Sequence, residues 1–210
     1  EKALRQSLAE KDALLREVHH RVKNNMQIVV SLLETQSDYQ HEPKVAESLR
    51  QISQRVQSMA FVHEELYRSS GLDGIRFRNY AERIIGVLFQ ACEHGPELEW
   101  AVEDDNSRLD LVRAIPCGLI INELVANSLK HAFPENRPGR ISVSLFSNPD
   151  RETARRYVLS VQDNGIGLPA GFEIGMTHSF GLQLVSILVR QLGAELSLDR
   201  NQGTRFTIVF

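Results

Sequence analysis

Asn122-Glu123-Leu124-Val125-Ala126-Asn127-Ser128-Leu129-Lys130-His131-Ala132-Phe133 is answered further along the chain by Asp163-Asn164-Gly165-Ile166-Gly167. The first stretch has a helical pattern, in which side chains three and four apart are neighbours, so Glu123, Asn127 and Lys130 share one polar stripe. The second is an acidic residue followed by two glycines. It is entered from the β-type run Tyr157-Val158-Leu159-Ser160-Val161. Together the two stretches read as the walls of a nucleotide pocket.

The residue chemistry supports that reading. Asn127 offers an amide oxygen to a magnesium ion carried by triphosphate, a hard cation that takes oxygen ligands. Glu123, one turn earlier, is placed to orient a metal-bound water or polarise a nucleophile. Lys130 sets a positive charge against phosphate oxygens. Asp163 accepts a hydrogen bond from an exocyclic amine such as adenine presents, and Gly165 and Gly167 let the backbone approach a flat base. Taken singly, the helix stripe is also what a solvated helix face looks like, and DNGIG is also a turn between strands. Two further elements follow in order. His178-Ser179-Phe180-Gly181-Leu182 leads into a helix, whose N-terminus is a ready anion site. Gly203-Thr204 lies between closing strands, where a hydroxyl can reach the base. The segment from Leu168 to Ser179 is suited to a lid.

Outward from this core, the 210 residues suit one large or two small domains. A hydrophobic fraction of 42% with 24% charged residues is ordinary for a globular chain. The net charge of −3 argues against a broad basic surface for nucleic acid. Cys92 and Cys117 have no metal-ligand spacing and read as reduced, buried residues. No apolar run reaches the length of about 18 residues that a membrane span requires, and no signal peptide is visible. The chain opens in helical register at Glu1-Lys2-Ala3-Leu4-Arg5, as a module following an upstream domain would.

Residues 1 to 68 contain one proline, Pro43, and no glycine. Leu4, Leu8, Leu15, Val18, Val22, Val29 and Leu33 recur at helical spacings, and Val45, Leu49, Ile52, Val56, Met59, Val62 and Leu66 do the same after Pro43. Proline starts a helix more readily than it continues one, so Pro43 marks the turn of a helical hairpin. Its long apolar stripe has no third helix to cover it. Two copies would complete a four-helix bundle, and a second domain folded back over the stripe is the alternative. After Ser69-Ser70-Gly71 helices and strands alternate: helix Asn79–Phe89, strand Leu98–Val102, one or two helices in Leu111–Phe133, strands Ile141–Phe146 and Tyr157–Val161, helix Phe180–Leu192, and strands Ala194–Leu198 and Phe206–Phe210. The fold class is α+β: a hairpin over residues 1–72, then a two-layer α/β sandwich over residues 73–210.

The ordered set NELVANSLKHAF, DNGIGLP, SFGLQLV and GTRF resembles the GHKL ATPase superfamily of gyrase, heat-shock chaperone, histidine kinase and MutL proteins, over residues 76–210. The resemblance implies that Asn127 binds magnesium and Asp163 recognises adenine. It implies that Gly165, Gly167 and Gly181 shape the base pocket and lid, and that Thr204 joins the hydrogen bonds around adenine. Lys130 and His131 complete the nucleotide-binding set. No GxxxxGK[ST] loop is present, so a P-loop enzyme is not the competing model.

The hairpin carries Glu17-Val18-His19-His20-Arg21-Val22-Lys23-Asn24-Asn25. At about 100° per residue, His20 falls about 160° from the apolar stripe near Leu15, Val18 and Val22, whereas His19 falls about 60° from it. His20 is thus the outward imidazole, with Glu17 and Asn24 on the same outer face to orient the ring or a water. A neutral imidazole, of ordinary pKa about 6.5, is a competent nucleophile. Alone, such a residue is also an ordinary solvated histidine.

EVHHRVKNN resembles the second phosphoacceptor and dimerisation family of sensor histidine kinases, relatives of the HWE kinases. The histidine before arginine is phosphorylated in that family, which maps to His20. Arg21 stands where the commonest histidine kinases have an acidic residue, so Glu17 is only a candidate general base. The Trp-x-Glu of the HWE group is absent, since Trp100 is followed by Ala101 and Val102. The resemblance implies phosphorylation of His20 from Mg-ATP and transfer to an aspartate of a response-regulator receiver. It also implies a homodimer through residues 1–68, in the cytoplasmic part of a sensor protein. Three rival readings remain on the residues: an ATPase using Glu123 to activate water, a nucleotide-binding scaffold without transfer, and a phosphatase-biased sensor with Asn24 placing water.

Overall fold

The structure, a computed structural model, describes residues 2–69, 74–91, 97–148, 156–169 and 180–210. It divides into two compact units, Glu1–Arg68 and Ser69–Phe210.

The first unit is a helical hairpin of α1 (Lys2–Asp38) and α2 (Pro43–Ser69). Pro43 opens α2 as its sequence position requires, with no backbone N–H to leave unsatisfied in the first turn. The seam between the helices differs from the stripe of large residues expected. Val30 and Ser37 of α1, and Ala46, Ser53 and Ala60 of α2, are buried, each set at heptad spacing. The Ser37 hydroxyl donates across to the Ala46 carbonyl at 3.1 Å. Lys23 Nζ meets Glu64 Oε2 at 2.7 Å, a second tie between the helices. Val62, expected on the α2 stripe, is buried at 1% exposure, but other large apolar residues are left open. Val18, Val29, Val45 and Ile52, all assigned to buried stripes by periodicity, are exposed, together with Ile28 and Leu32.

The second unit contains β1 (Ile75–Arg76), α3 (Phe77–Ala91), β2 (Leu98–Asp104), β3 (Arg108–Leu109), α4 (Leu111–His131), a 3-10 turn (Pro134–Asn136), β4 (Gly139–Asn148), β5 (Arg156–Asp163), α5 (Phe180–Gln191), β6 (Glu195–Asp199) and β7 (Thr204–Val209). The main sheet has the order β2-β4-β5-β7-β6, and β1 and β3 form a separate two-stranded ribbon. Among the described residues only β2 and β4 run parallel, and α4 supplies the crossover that parallel neighbours need. Ile141, Val143 and Leu145 of β4, Leu159 and Val161 of β5, and Phe206 and Ile208 of β7 are buried under the helices. Ser142, Ser144, Ser160 and Thr207 alternate with them on the other face, as a sheet covered on one side requires.

Leu111–Phe133, read as one or two helices, is a single helix ending at His131. Asp110 caps it by accepting the Arg113 N–H at 2.9 Å. Pro116 is tolerated because the bond it lacks would go to the Val112 carbonyl, at the exposed start of the helix. Ala114, Cys117, Ile120, Ile121, Leu124 and Val125 pack it into the core between α3 and α5. That burial explains its composition. Contrary to the reading of apolar runs above, α4 is long and apolar enough to cross a membrane by length and composition alone. Burial also pushes the Cys117 thiol far above its ordinary pKa, so it is unreactive. Cys92 lies outside the described residues.

Candidate functional site

The C-terminal turn of α4, the end of β5 and the start of β7 converge on Asp163. Asp163 is 4% exposed, and its carboxylate is held by donors from all three. Oδ2 accepts from Ser128 Oγ at 2.8 Å, and Oδ1 accepts from the backbone N–H of Gly165 at 3.0 Å and of Thr204 at 3.2 Å. A carboxylate offers about four acceptor positions, so about one remains for a ligand. Such a buried, fixed acceptor reads hydrogen-bond donors with little loss of side-chain entropy on binding.

The glycines around it serve packing before ligand contact. A Cβ at Gly165 would lie 2.3 Å from the Ala132 carbonyl oxygen, which caps α4 and accepts the Ile166 N–H at 3.0 Å. Gly165 therefore lets the DNGIG turn dock onto the helix end. Gly203 adopts φ +84, and a Cβ there would fall 2.1 Å from the Asp163 carbonyl oxygen.

A cavity of about 610 Å³ opens beside Asp163, within the range of small-molecule sites. Its polar lining comes from Asn127, Ser128, His131, Asp163 and Thr204, and its apolar lining includes Leu124, Ile166, Leu182 and Phe206; Gly167 lines it too. Burial, and then the Lys130 charge, pulls the His131 imidazole below its ordinary pKa, which keeps it neutral near pH 7.

The other residues singled out by sequence fall elsewhere. Glu123 is buried one turn before Asn127 and is not on the cavity wall, while Lys130 is exposed at the helix end. The stripe read as uniformly polar thus runs from core to solvent. Gly165 and Gly181 also lie off the wall, Gly181 being buried in the first turn of α5. Of the lid segment, Leu168 and Pro169 line the cavity, whereas residues 170–179, His178 and Ser179 among them, lie outside the described residues. Ser128 was missed by sequence. Its signal was a hydroxyl in a buried helix beside Asn127.

In the hairpin, His19 and His20 sit within α1, and their side chains lie outside the described set. Glu17 Oε1 accepts from Arg21 Nε at 2.8 Å, both side chains being exposed, so the candidate base is engaged by the arginine that follows His20. Asn24 is exposed one turn after His20.

Comparison with known proteins gives two family matches. Residues 17–92 match a histidine kinase model. Residues 113–210 match the histidine kinase-, DNA gyrase B- and HSP90-like ATPase model. The chain is 34% identical over 200 residues to the sensor histidine kinase PdtaS of Mycobacterium tuberculosis, covering 95% of this chain and 38% of that protein. It is 28% identical to blue-light-activated histidine kinase 2 of Erythrobacter litoralis, over 95% of this chain and 56% of that one. Among solved structures, the histidine kinase domain from the Erythrobacter litoralis EL346 blue-light activated histidine kinase aligns with a TM-score of 0.65 at 27% identity. That alignment covers 96% of this chain and 95% of the domain.

Proposed function

The chain belongs to the histidine kinase family, and on that premise we propose that it phosphorylates its own His20 from ATP and passes the phosphoryl group to an aspartate of a response-regulator receiver. The observation that carries the ATP half is Asp163, fixed by Ser128, Gly165 and Thr204 at the wall of a nucleotide-sized cavity. Its remaining acceptor position suits the exocyclic amine of adenine.

Each residue then has a part. Asn127 would hold magnesium; a single amide oxygen fits an ion that keeps several waters and takes its other ligands from phosphate. Bound there, the ion neutralises phosphate charge. His131, neutral at the cavity wall, can hydrogen-bond the nucleotide. Lys130, exposed at the rim, and Gly181, at the start of α5, are reserved for the phosphates and the lid; Glu123 acts from behind the wall by orienting Asn127. An imidazole nitrogen of His20 attacks the γ-phosphorus, the bond to the β-phosphate oxygen breaks, and ADP leaves. The imidazole proton goes to a base, for which Glu17 is the candidate once Arg21 releases it. Asn24, one turn on, positions the receiver or a water.

The partner of the hairpin is a second copy of the chain. Val18, Ile28, Val29, Leu32, Val45 and Ile52 are exposed apolar residues on two helices joined by a seam of small ones. A four-helix bundle would bury them.

Incubation with γ-labelled ATP tests the reading. The chain should acquire an acid-labile, base-stable label that His20→Ala abolishes while nucleotide affinity is kept. Full labelling of His20→Ala, with loss in His19→Ala, overturns the assignment of the phosphoacceptor. Steady phosphate release with no labelled protein favours a hydrolytic ATPase instead.

A further inference from the structure

The buried stripe of α1 turns charged one turn from His20. Lys23, Val30 and Ser37 are seven residues apart and so share one stripe of the helix. Val30 and Ser37 are buried on it, and Lys23 continues it with its ammonium 2.7 Å from Glu64 Oε2 of α2. Side-chain exposures of 33% and 41% leave this pair half-open to water. Such a pair contributes little stability. Holding the hairpin together therefore does not account for a lysine at this position.

Helix geometry gives the lysine a second role. Residues three and four apart lie on the same face, and helical side chains lean toward the N-terminus, over the preceding turn. The turn before Lys23 carries His20 at minus three and His19 at minus four. That direction brings the ammonium within reach of the turn that holds both histidines. Arg21, by contrast, adjoins His20 in sequence and lies about 100° from it around the helix. Its guanidinium holds Glu17 at 2.8 Å. The Lys23 ammonium has three donor hydrogens, of which the Glu64 bond uses one.

We propose that Lys23 contacts the phosphoryl group during its transfer to the hairpin histidine, and that Glu64 is the positioning residue that holds the lysine at that turn. The inference rests on the reading of His20 as the phosphoacceptor. As the imidazole nitrogen bonds to the γ-phosphorus, the bond to the β-phosphate oxygen breaks, ADP leaves and the imidazole proton goes to a base. Negative charge is spread over the three phosphoryl oxygens throughout. An ammonium is a compact charge with rotatable donors on a flexible stem, so it follows those oxygens as the phosphorus changes partners. Once the phosphohistidine has formed, the same charge offsets it.

The test is the rate at which the whole chain acquires label from γ-labelled ATP. In Lys23→Gln the rate at saturating ATP should fall about tenfold or more. The ATP concentration giving half the maximal rate, and the helicity, should stay the parent's. Lys23→Arg keeps a cation and should retain an intermediate rate. Glu64→Gln frees the lysine without removing its charge, so its loss should be smaller; an equal loss overturns the assignment of the role to Lys23. The exchange of Lys23→Glu with Glu64→Lys separates contact from tie. It restores an ion pair between the helices but moves the cation to α2. A lysine on the phosphoryl group predicts no recovery beyond the rate of Lys23→Glu alone, whereas a lysine that only ties the helices predicts the parental rate. Recovery in the exchange, or a parental rate in Lys23→Gln, overturns the proposal and leaves the kinase reading intact. A parent chain that acquires no label overturns the kinase reading itself, and the role of Lys23 with it.

Discussion

Ser128 Oγ donates to Asp163 Oδ2 at 2.8 Å, a buried bond between residues 35 apart that ties α4 to the end of β5. Ser128→Ala removes the donor and leaves the carboxylate with two backbone partners. The aspartate then gains freedom that a nucleotide must remove. Affinity for an ATP analogue should fall about five- to tenfold, the scale of one buried hydrogen bond. Equal affinity by calorimetry would show that the two backbone N–H groups suffice.

Asp163→Asn tests the acceptor itself. The amide replaces one oxygen by an NH₂ group. Oδ1 is already committed to Gly165 and Thr204, so the new donor faces Ser128 and the cavity. A donor set against an exocyclic amine is repulsive. Affinity for adenine nucleotides should drop by more than tenfold with little change in melting temperature. An unchanged affinity would remove Asp163 from base recognition.

The order of helices and strands was legible because each longer element carries its own period, and the lining of the cavity by Asn127, Asp163, Gly167 and Thr204 was legible because those motifs are short and local. Most of the misses depend on what lies across from a residue. Periodicity names Val62, which is buried, but it passes over Val30, Ser37, Ala46, Ser53 and Ala60, and draws the eye to Val18, Val29 and Ile52, which are exposed. The ribbons β1 and β3 are two residues each, too short for any period. Ser128 looks like any helical serine until Asp163 arrives from another strand. Gly165 reads as a base-approach glycine, and only the fold sets Ala132 against it.

Gly165→Ala separates those two roles. The added methyl would lie 2.3 Å from the Ala132 carbonyl oxygen, which is backbone and cannot swing away. Relieving the clash should cost about 1–3 kcal/mol, seen as a lower melting temperature both with and without nucleotide. A variant of parental stability that has lost only nucleotide affinity would return Gly165 to the base.

His131 should give the second unit a pH dependence. Its folded pKa lies below the ordinary value, by burial first and the Lys130 charge second. The unfolded chain therefore takes up the proton first as pH falls. The contribution is fully present above about pH 6.5 and is lost progressively as the pH drops through that value toward the folded pKa. Melting temperature should fall between about pH 7.5 and about pH 5.5, and His131→Gln should show a smaller fall. An identical decline in both proteins would assign the effect elsewhere. His63 in the hairpin is shifted in the same direction by burial, so its substitution is the parallel control.

Leu32, 60% exposed on α1, tests the second copy. Ile28 lies one turn before it and is also exposed, so the two form a continuous apolar edge. Burying such side chains is worth about 1.5–3 kcal/mol each, and a glutamate in their place sets a charge against its own copy across a two-fold axis. Leu32→Glu should convert a dimer to a monomer in sedimentation at micromolar concentration. The monomer should keep its helicity, because the Val30, Ser37 and Ala46 seam is untouched. If the parent chain sediments as a monomer, the open edge serves another surface, and Leu32→Glu will then leave its mass unchanged.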